Sequence, residues 1–437
     1  MAIERPSGPT TTEPLARPDS GIVRPTLVYA STNAIAALVP LLLIPVLTRV
    51  LSPSEYGRVA VFSVVTSFLI ALVGLNVHSS ITVRYFETRR AAFSRYVGTC
   101  LVILGVGTLA LGVLALVCLS WLESVTQLPG AWIIVAVLVA AFTVVVQMRL
   151  AVWQCSIRPW PFGALRIAQS AADGLLSLLL VIGLGLGWEG RAGGITAAAA
   201  GAAIVSLVLL WRSGWINLAF DRDEARVALR FGVPLIPHTV GGMLIAMADR
   251  MMITSVLDTA STGIYMVALQ VGMILGLLTE SFNKAYAPWL LQALRHSRPD
   301  RDRSIVRFTY AYFAIVSAAA LALGLAAPPL LAVLVGEQFR AAAPIVVYIA
   351  LGFAFGGMYY MVTNYVAFAR RTASLAAVTL SCGILNVVLS YWLLRRNGVI
   401  GAAQAFMVAQ AALFLGTWWL AQRARPMPWR RAIYSPV

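Results

Sequence analysis

The stretch LTRVLSPSEYGRVAVF, residues 47–62, lies between two of the most apolar parts of the chain and decides the fold. Arg49, Glu55 and Arg58 fall between segments that are each long enough to cross a bilayer as a helix, which takes about 20 apolar residues. The pattern predicts two membrane-spanning helices joined by a tight turn that carries the charges at a membrane surface.

The same stretch predicts its own local structure. Ser52 or Ser54 would cap the second helix, and Glu55 would lie against the positive end of its dipole. Arg49 would close the first helix by reaching its last carbonyl groups or Glu55. Most of the motif is therefore structural, and Arg49 remains a candidate for contact with an anionic head group.

The composition indicates an integral membrane protein. Of 437 residues, 60% are hydrophobic and 11% charged, with a mean hydropathy of +0.83, which lies outside the range of soluble domains. The four cysteines are scattered singly through apolar segments and are interpreted as packing residues.

Twelve segments qualify as spans, so we predict an all-α integral membrane protein with about twelve transmembrane helices. The predicted spans are 27–48, 59–82, 96–119, 131–148, 164–187, 192–211, 231–256, 263–287, 308–335, 343–368, 373–394 and 399–421.

The spans divide the chain into two halves with flanking segments. We predict a disordered cytoplasmic tail over 1–26, a six-helix lobe over 27–211 and a cytoplasmic linker helix over 212–230. A second six-helix lobe covers 231–421, and a basic cytoplasmic tail covers 422–437.

The distribution of basic residues predicts the orientation, because cytoplasmic loops are enriched in Lys and Arg. With both termini in the cytoplasm, most of the 33 Lys and Arg residues fall on that side. The exceptions are Arg49, Arg58, Arg191, Arg250, Arg340, Arg395 and Arg396. The formal charge of +16 then reflects this bias and attraction to anionic lipid headgroups, and it does not indicate nucleic-acid binding.

An internal repeat supports the two lobes. TRVLSPSEYG begins at Thr48 and TSVLDTASTG begins at Thr254, 206 residues later. Six spans per half keep the same orientation, so the halves would be related by an axis along the membrane normal. This arrangement predicts two lobes around a central cavity.

The segment 220–231, FDRDEARVALRF, contains a DxD pattern at Asp221 and Asp223 that some glycosyltransferases use to hold a metal. Asp221 also suits an N-cap, with Arg226 and Arg230 following on a short amphipathic helix. We favour the cap and predict no metal site. The sequence holds no P-loop or hydrolase motif, so it predicts no enzyme.

Five stretches together resemble a known family, the polysaccharide and O-antigen flippases of the multidrug/oligosaccharidyl-lipid/polysaccharide exporter superfamily. They are PVLTRVLSPSEYGRVAVF (45–62), FGVPLIPH followed by ADRMMI (231–253), TGIYMVALQV (262–271), NKAYAPWL (283–290) and NGVIGAAQAF (397–406). The resemblance implies two six-helix bundles in the bacterial inner membrane that move polyprenyl-pyrophosphate-linked oligosaccharides from the inner to the outer leaflet. It implies no cofactor.

The expected partners are the lipid-linked oligosaccharide, membrane lipids and other membrane proteins of polysaccharide synthesis. Two alternatives stay open: a drug or metabolite exporter on the same fold, and a membrane-embedded polysaccharide polymerase or ligase. The short predicted external loops disfavour the second alternative.

Ionisable residues inside spans are the default candidates for a transport route. Asp249 and Arg250 lie about 10 Å inside span seven, where they would line the cavity or form an inter-helix salt bridge that locks the outer gate. Glu280 and Lys284 have the spacing of a helical ion pair. Asp173 is predicted to be a lone buried carboxylate that carries a coupling proton or sodium ion, or else a packing site.

The predicted substrate-binding residues are Arg49, Arg250 and Lys284 together with three uncharged side chains, Asn33, Asn76 and Gln270. The uncharged side chains would hydrogen-bond sugars or tie helices together. Asp173, Asp249 and Glu280 are the candidates for coupling or gating. Coupling to a proton, to sodium or to the membrane potential all remain open.

Overall fold

The computed structural model describes residues 20–295, 299–369 and 372–429, and within these ranges the chain is helical with no strands. The helices are α1 (Ser20–Val50), α2 (Pro53–Val73), α3 (Ile81–Glu87), α4 (Arg90–Val117), α5 (Leu119–Thr126), α6 (Gly130–Cys155), α7 (Pro159–Leu178), α8 (Gly187–Arg212), α9 (Arg222–Val256), α10 (Thr259–Arg295), α11 (Pro299–Leu334), α12 (Ala343–Phe368), α13 (Thr372–Asn397) and α14 (Val399–Ala424). Shorter helical turns cover Val77–Ser80, Leu179–Gly183 and Glu337–Ala342.

The prediction of about twelve transmembrane helices is confirmed. Among the described residues, eleven helices are long and apolar enough to cross a membrane. The remaining long helix, α9, has 35 residues and so extends about 52 Å, which is also sufficient. The short helices α3 and α5 connect spans at the two faces of the bundle.

The long helices alternate in direction, so the bundle has two faces. We call the Ser52 face the one at which α1 ends and α2 begins. The Asp221 face is the opposite one, where the non-helical segment 213–221 joins α8 to α9.

Two helices occupy the centres of the two lobes. In the first lobe, α6 packs against α2, α4 and α8, and in the second lobe α12 packs against α10, α11 and α14. Both helices are rich in small and β-branched residues that allow close approach. Phe62, Tyr96 and Met148 fill the first core, and Tyr365 and Leu290 fill the second.

Both predicted caps are confirmed. Glu55 N donates to Ser52 Oγ at 3.3 Å, and Ser52 N donates to the Glu55 carboxylate at 2.9 Å, which forms a capping box at the start of α2. Asp221 caps α9 by accepting from the amides of Asp223 and Glu224 at 2.9 and 3.2 Å. The carboxylate of Asp221 in the DxD pattern thus binds backbone amides. No group of residues suited to a metal occurs in the described part of the chain.

Two predicted boundaries are wrong. Span 59–82 is too long because α2 ends at Val73, and Asn76 follows with a positive φ of 56° that a continuing helix cannot contain. The linker helix predicted over 212–230 is not a separate element, because α9 runs unbroken from Arg222 through its apolar part.

The terminal segments also differ from the prediction. Helix α1 begins at Ser20, inside the tail predicted over 1–26, and residues 1–19 lie outside the described ranges. At the other end, α14 continues to Ala424, and Met427 and Trp429 are buried against the second lobe. Residues 430–437 of the predicted basic tail lie outside the described part.

Candidate functional site: the lobe contact and a polar cleft

The two lobes meet at the Ser52 face where α2 crosses α10. A Cβ atom added at Gly57 would overlap the carbonyl oxygen of Thr259, and one added at Gly263 would overlap that of Pro53. Gly57 and Gly263 are 206 positions apart, as are Pro53 and Thr259. The contact is therefore made by equivalent positions of the repeat, and glycine is needed on both sides because the backbones touch.

A second pair of contacts at this face comes close to the same relation, with a shift of one residue. Arg49 Nη2 donates to Val333 O at 2.7 Å, and Gln127 Nε2 donates to Thr254 O at 3.2 Å. Gln127 precedes Val333 by 206 positions, whereas Thr254 is the equivalent of Thr48, the residue before Arg49. The end of the first helix in each lobe is thus tied to the other lobe.

One inter-lobe hydrogen bond has no equivalent in the repeat. The hydroxyl of buried Tyr56, on α2, donates to Gln270 Oε1, on α10, at 2.7 Å. The ring of Tyr56 packs edge-on against Phe339 of the second lobe. Gln270, a predicted sugar contact, therefore ties two helices together in this structure.

The lobes are also linked near the Asp221 face. Arg84 of α3 makes a bidentate pair with Glu224 of α9, with N to O distances of 2.7–3.2 Å. Asn76 Nδ2 donates to Thr239 Oγ1 of α9 at 3.2 Å. Asn76 lies beyond the end of α2 rather than inside a span, and its hydrogen bond to Thr239 ties α9 to the first lobe.

A polar cleft of about 340 Å³ lies inside the first lobe. Helix α1 packs on α7, whereas α2 packs on α6 and α10, so the helices α1 and α2 diverge from their shared turn and the cleft lies between them. Its polar lining consists of Asn33, Ser63, Thr66, Thr143, Arg166, Gln169, Ser170 and Asp173.

One face of α7 supplies half of that polar lining. Arg166, Gln169, Ser170 and Asp173 are spaced i, i+3, i+4 and i+7, which places them along one side of a helix. The spacing is visible in the sequence as a polar stripe in an otherwise apolar span. Sequence reasoning treated Asp173 alone and so missed the stripe.

The prediction that Asp173 is a lone carboxylate is wrong. Arg191 Nη1 and Nη2 donate to the two Asp173 oxygens at 2.5 and 3.2 Å, and Nη1 also donates to Ser177 Oγ. Arg191 lies just before the predicted span 192–211, and the antiparallel packing of α7 and α8 brings its side chain to α7. The side chains of Arg191 and Asp173 are only 10% and 21% exposed.

Asp249 and Arg250 lie between helices of the second lobe. The carboxylate of Asp249 accepts from the hydroxyl of Tyr265 on α10 and from the amide of Arg250. The nearest guanidinium nitrogen of Arg250 is 4.0 Å from Asp249, and its Nε donates to Met266 Sδ at 3.2 Å. These contacts lie within one lobe, and the roles of Asp249 and Arg250 in lining the cavity or locking the outer gate stay predictions.

The local ion pair between Glu280 and Lys284 is confirmed. The two charged groups are 2.8 Å apart, and both side chains are about half exposed. Of the predicted site residues, only Asn33 and Asp173 share the cleft, while Arg49 and Gln270 belong to the lobe contact. The pair itself belongs to neither feature.

Family membership is decided by residues 22–294, which match the model of the polysaccharide biosynthesis protein family. The chain belongs to this family. It is 18% identical to Lsg locus putative protein 1 of Haemophilus influenzae over 385 residues. The aligned region covers 84% of this chain and 89% of the relative.

Solved structures share the fold of this family member. The lipid II flippase MurJ in an inward closed conformation superposes with a TM-score of 0.74 at 13% identity, over 92% of this chain and 87% of that one. An inward-facing multidrug resistance MATE transporter of the MOP superfamily gives 0.59 at 14% identity, over 92% and 98%. At these identities the likeness shows the fold, and the match of the family model confirms the resemblance to polysaccharide biosynthesis proteins.

Proposed function

We propose that this protein moves polyprenyl-pyrophosphate-linked oligosaccharides from the inner to the outer leaflet of the bacterial inner membrane by alternating access. The observation that carries the proposal is the paired contact at the Ser52 face. It joins the lobes through equivalent positions, Gly57 with Thr259 and Gly263 with Pro53, so that the lobes can separate there as two bodies. Family membership supports a role in polysaccharide synthesis.

The physical task requires a polar route through the membrane. Sugars and phosphates cannot cross hydrocarbon alone, because each unsatisfied polar group costs several kcal/mol there. The cleft of the first lobe provides hydrogen-bonding groups within the helical bundle, while a polyprenyl chain would remain in the surrounding lipid.

The proposal places the Asp221 face and both termini in the cytoplasm, since most of the basic residues lie on that side. The Ser52 face then points outward and is closed in this structure. An inside-negative membrane potential would favour outward movement of the anionic head group by about 2.3 kcal/mol per charge per 100 mV. We therefore place the potential ahead of a proton or sodium ion as the energy source.

The proposed partners are the lipid-linked substrate, membrane lipids and other membrane proteins of polysaccharide synthesis. A drug or metabolite exporter is the competing function, because MATE transporters share the fold. The action proposed is transport, and no bond in the substrate is made or broken.

The test is a flipping assay in vesicles of purified protein. The probe is a polyprenyl-pyrophosphate oligosaccharide with a fluorescent sugar, and a membrane-impermeant reductant destroys the label exposed outside. We expect the protected half of the fluorescence to become accessible only in vesicles that contain the protein. Protection equal to that of empty vesicles, together with transport of a lipophilic drug cation, would replace the proposal by the exporter alternative.

A further inference from the structure

One part of the polar cleft offers hydrogen-bond donors with unused capacity. Arg166 and Gln169 lie one turn apart on α7, and Asn33 faces the same cleft from α1. Among the described residues, none of these three side chains makes a hydrogen bond or an ion pair within the protein. A guanidinium and two amide groups at this location suit a phosphate oxygen.

The hydroxyl groups of the cleft have the opposite character. Ser63, Thr66 and Thr143 each donate to the carbonyl oxygen four residues earlier on their own helix, at 2.8–2.9 Å. Ser170 donates to Ala36 O on α1 at 2.9 Å. Because their protons are used on the backbone, these four oxygens remain as acceptors, and a ligand must bring its own hydroxyl donors to meet them.

The charge of the cleft selects an anion. Asp173 is the one carboxylate in the lining, and Arg191 neutralises it at 2.5 Å. No carboxylate in the lining remains to balance the positive charge of Arg166, so the cleft has a net charge of about +1 and disfavours a bare cation. This balance removes the basis for a coupling cation at Asp173.

The size of the cleft limits the ligand. A volume of about 340 Å³ lies near the lower end of small-molecule pockets, which run from roughly 300 to 1,000 Å³. It has room for a phosphate and one sugar ring. Several sugars do not fit, so an oligosaccharide would extend out of the cleft between α1 and α2.

We infer that this cleft binds the junction between sugar and phosphate in the transported lipid, with the phosphate against Arg166, Gln169 and Asn33 and the first sugar ring against the hydroxyl oxygens. The inference rests on the proposed function and adds which part of the substrate is recognised. It also explains why the polar stripe of α7 begins with a cation, continues with Gln169 and Ser170, and ends at a carboxylate that Arg191 neutralises.

The test measures binding to purified protein in detergent, without transport. The probes are glucose 1-phosphate, inorganic phosphate, glucose, and a polyprenyl-pyrophosphate monosaccharide, each titrated by calorimetry. We expect the sugar phosphate to bind more tightly than either phosphate or glucose alone. We expect the lipid-linked probe to bind at least tenfold more tightly than the soluble sugar phosphate, and equal affinities would overturn the assignment to a lipid substrate.

Substitutions on the two sides of the cleft test the phosphate contacts and the sugar contacts separately. Arg166→Gln should weaken binding of both sugar phosphate and inorganic phosphate at least tenfold, and Arg166→Lys should restore part of it because a point charge remains without the fork. Thr143→Val should weaken the sugar phosphate and leave inorganic phosphate unchanged. Arg158→Gln, an exposed arginine just before α7, is the matched control and should bind as the wild type does.

Failure of this inference is distinct from failure of the proposed function. Folding of each variant is checked by its elution as a single species and by its melting temperature. Wild-type binding by a folded Arg166→Gln protein would overturn the site, even if flipping in vesicles succeeds. Binding that is lost in Arg166→Gln, combined with no flipping by the wild type, would keep the site and remove the flippase.

Discussion

Gly57 and Gly263, 206 positions apart in the chain, lie against each other's helices at the crossing of α2 and α10. Each glycine leaves room for a carbonyl oxygen of the opposite lobe, Thr259 for Gly57 and Pro53 for Gly263. The crossing is thus a two-fold contact built from backbone, with no side chain between the helices at its centre. We infer that it closes the Ser52 face.

A large side chain at either glycine should hold this face open. For Gly57→Leu and Gly263→Leu we expect similar losses of stability of about 1–3 kcal/mol, because each overlaps a backbone carbonyl that cannot move aside easily. A cysteine at Ser54 should then react faster with a thiol reagent. Gly105→Leu is the control, since nothing lies within 4 Å of a Cβ atom there. Unchanged reactivity at position 54 in the two glycine variants, or an equal increase in the Gly105→Leu control, would refute the role of the crossing.

The hydrogen bond from Tyr56 to Gln270 should set how often the lobes part. Tyr56→Phe removes it while keeping the ring packed on Phe339, at a cost of about 1 kcal/mol. That shifts an equilibrium between closed and open lobes roughly fivefold towards open. Hydrogen exchange in residues 53–60 should therefore quicken, and unchanged exchange would show that the bond does not hold the lobes together.

The sequence predicted the fold well because its signals are local. Apolar length predicts spans, and Ser52 with Glu55 predicts a capping box without reference to any distant residue. The repeat from Thr48 and Thr254 predicted two related lobes. The sequence does not predict which carbonyl oxygen each repeat contacts, because Arg49 binds the backbone of Val333 and not its side chain.

The site was predicted less well because it depends on pairing across helices. Arg191 lies close to a predicted membrane surface, and only the packing of α8 on α7 shows that it reaches Asp173. Glu224 lies in the first turn of α9, yet it pairs with Arg84 from the other lobe. The spacing of the polar stripe that begins at Arg166 is visible in the sequence. That it lines a cleft follows only from how α7 packs against its neighbours.

The pair between Asp173 and Arg191 should be important for stability. Asp173→Asn leaves a largely buried guanidinium without its counter-ion, and we expect a loss of about 3–5 kcal/mol. The exchanged pair, Asp173→Arg with Arg191→Asp, should recover part of this loss. Glu280→Gln is the matched control, because Lys284 is well exposed and the change should stay within about 0.5 kcal/mol. Equal melting temperatures for the Asp173 and Glu280 variants would contradict this account.

His78 should make stability depend on pH. It lies in the turn Val77–Ser80 outside the spans, and burial lowers its pKa from 6.5 to about 4. Between these values the unfolded chain binds a proton that the folded protein does not, so stability falls as the pH drops from 6.5 to 4. The loss approaches about 1.4 kcal/mol per pH unit in that window.

The comparison that isolates His78 is the difference between two melting curves. His78→Leu should show a shallower decline in melting temperature between pH 6.5 and 4 than the wild type, while carboxylates contribute equally to both proteins. Parallel declines would mean that the imidazole is not buried as described.

The most direct test of the central claim is a reversible lock across the Ser52 face during flipping. After replacement of the native cysteines Cys100, Cys118, Cys155 and Cys382, cysteines at Arg49 and Val333 would be joined by a short reagent that forms disulfides. The vesicle assay is run before locking, after locking and after reduction, with each single cysteine as a control. The account predicts that locking stops flipping of the lipid-linked oligosaccharide and that reduction restores it, whereas an unchanged rate in the locked protein would contradict it.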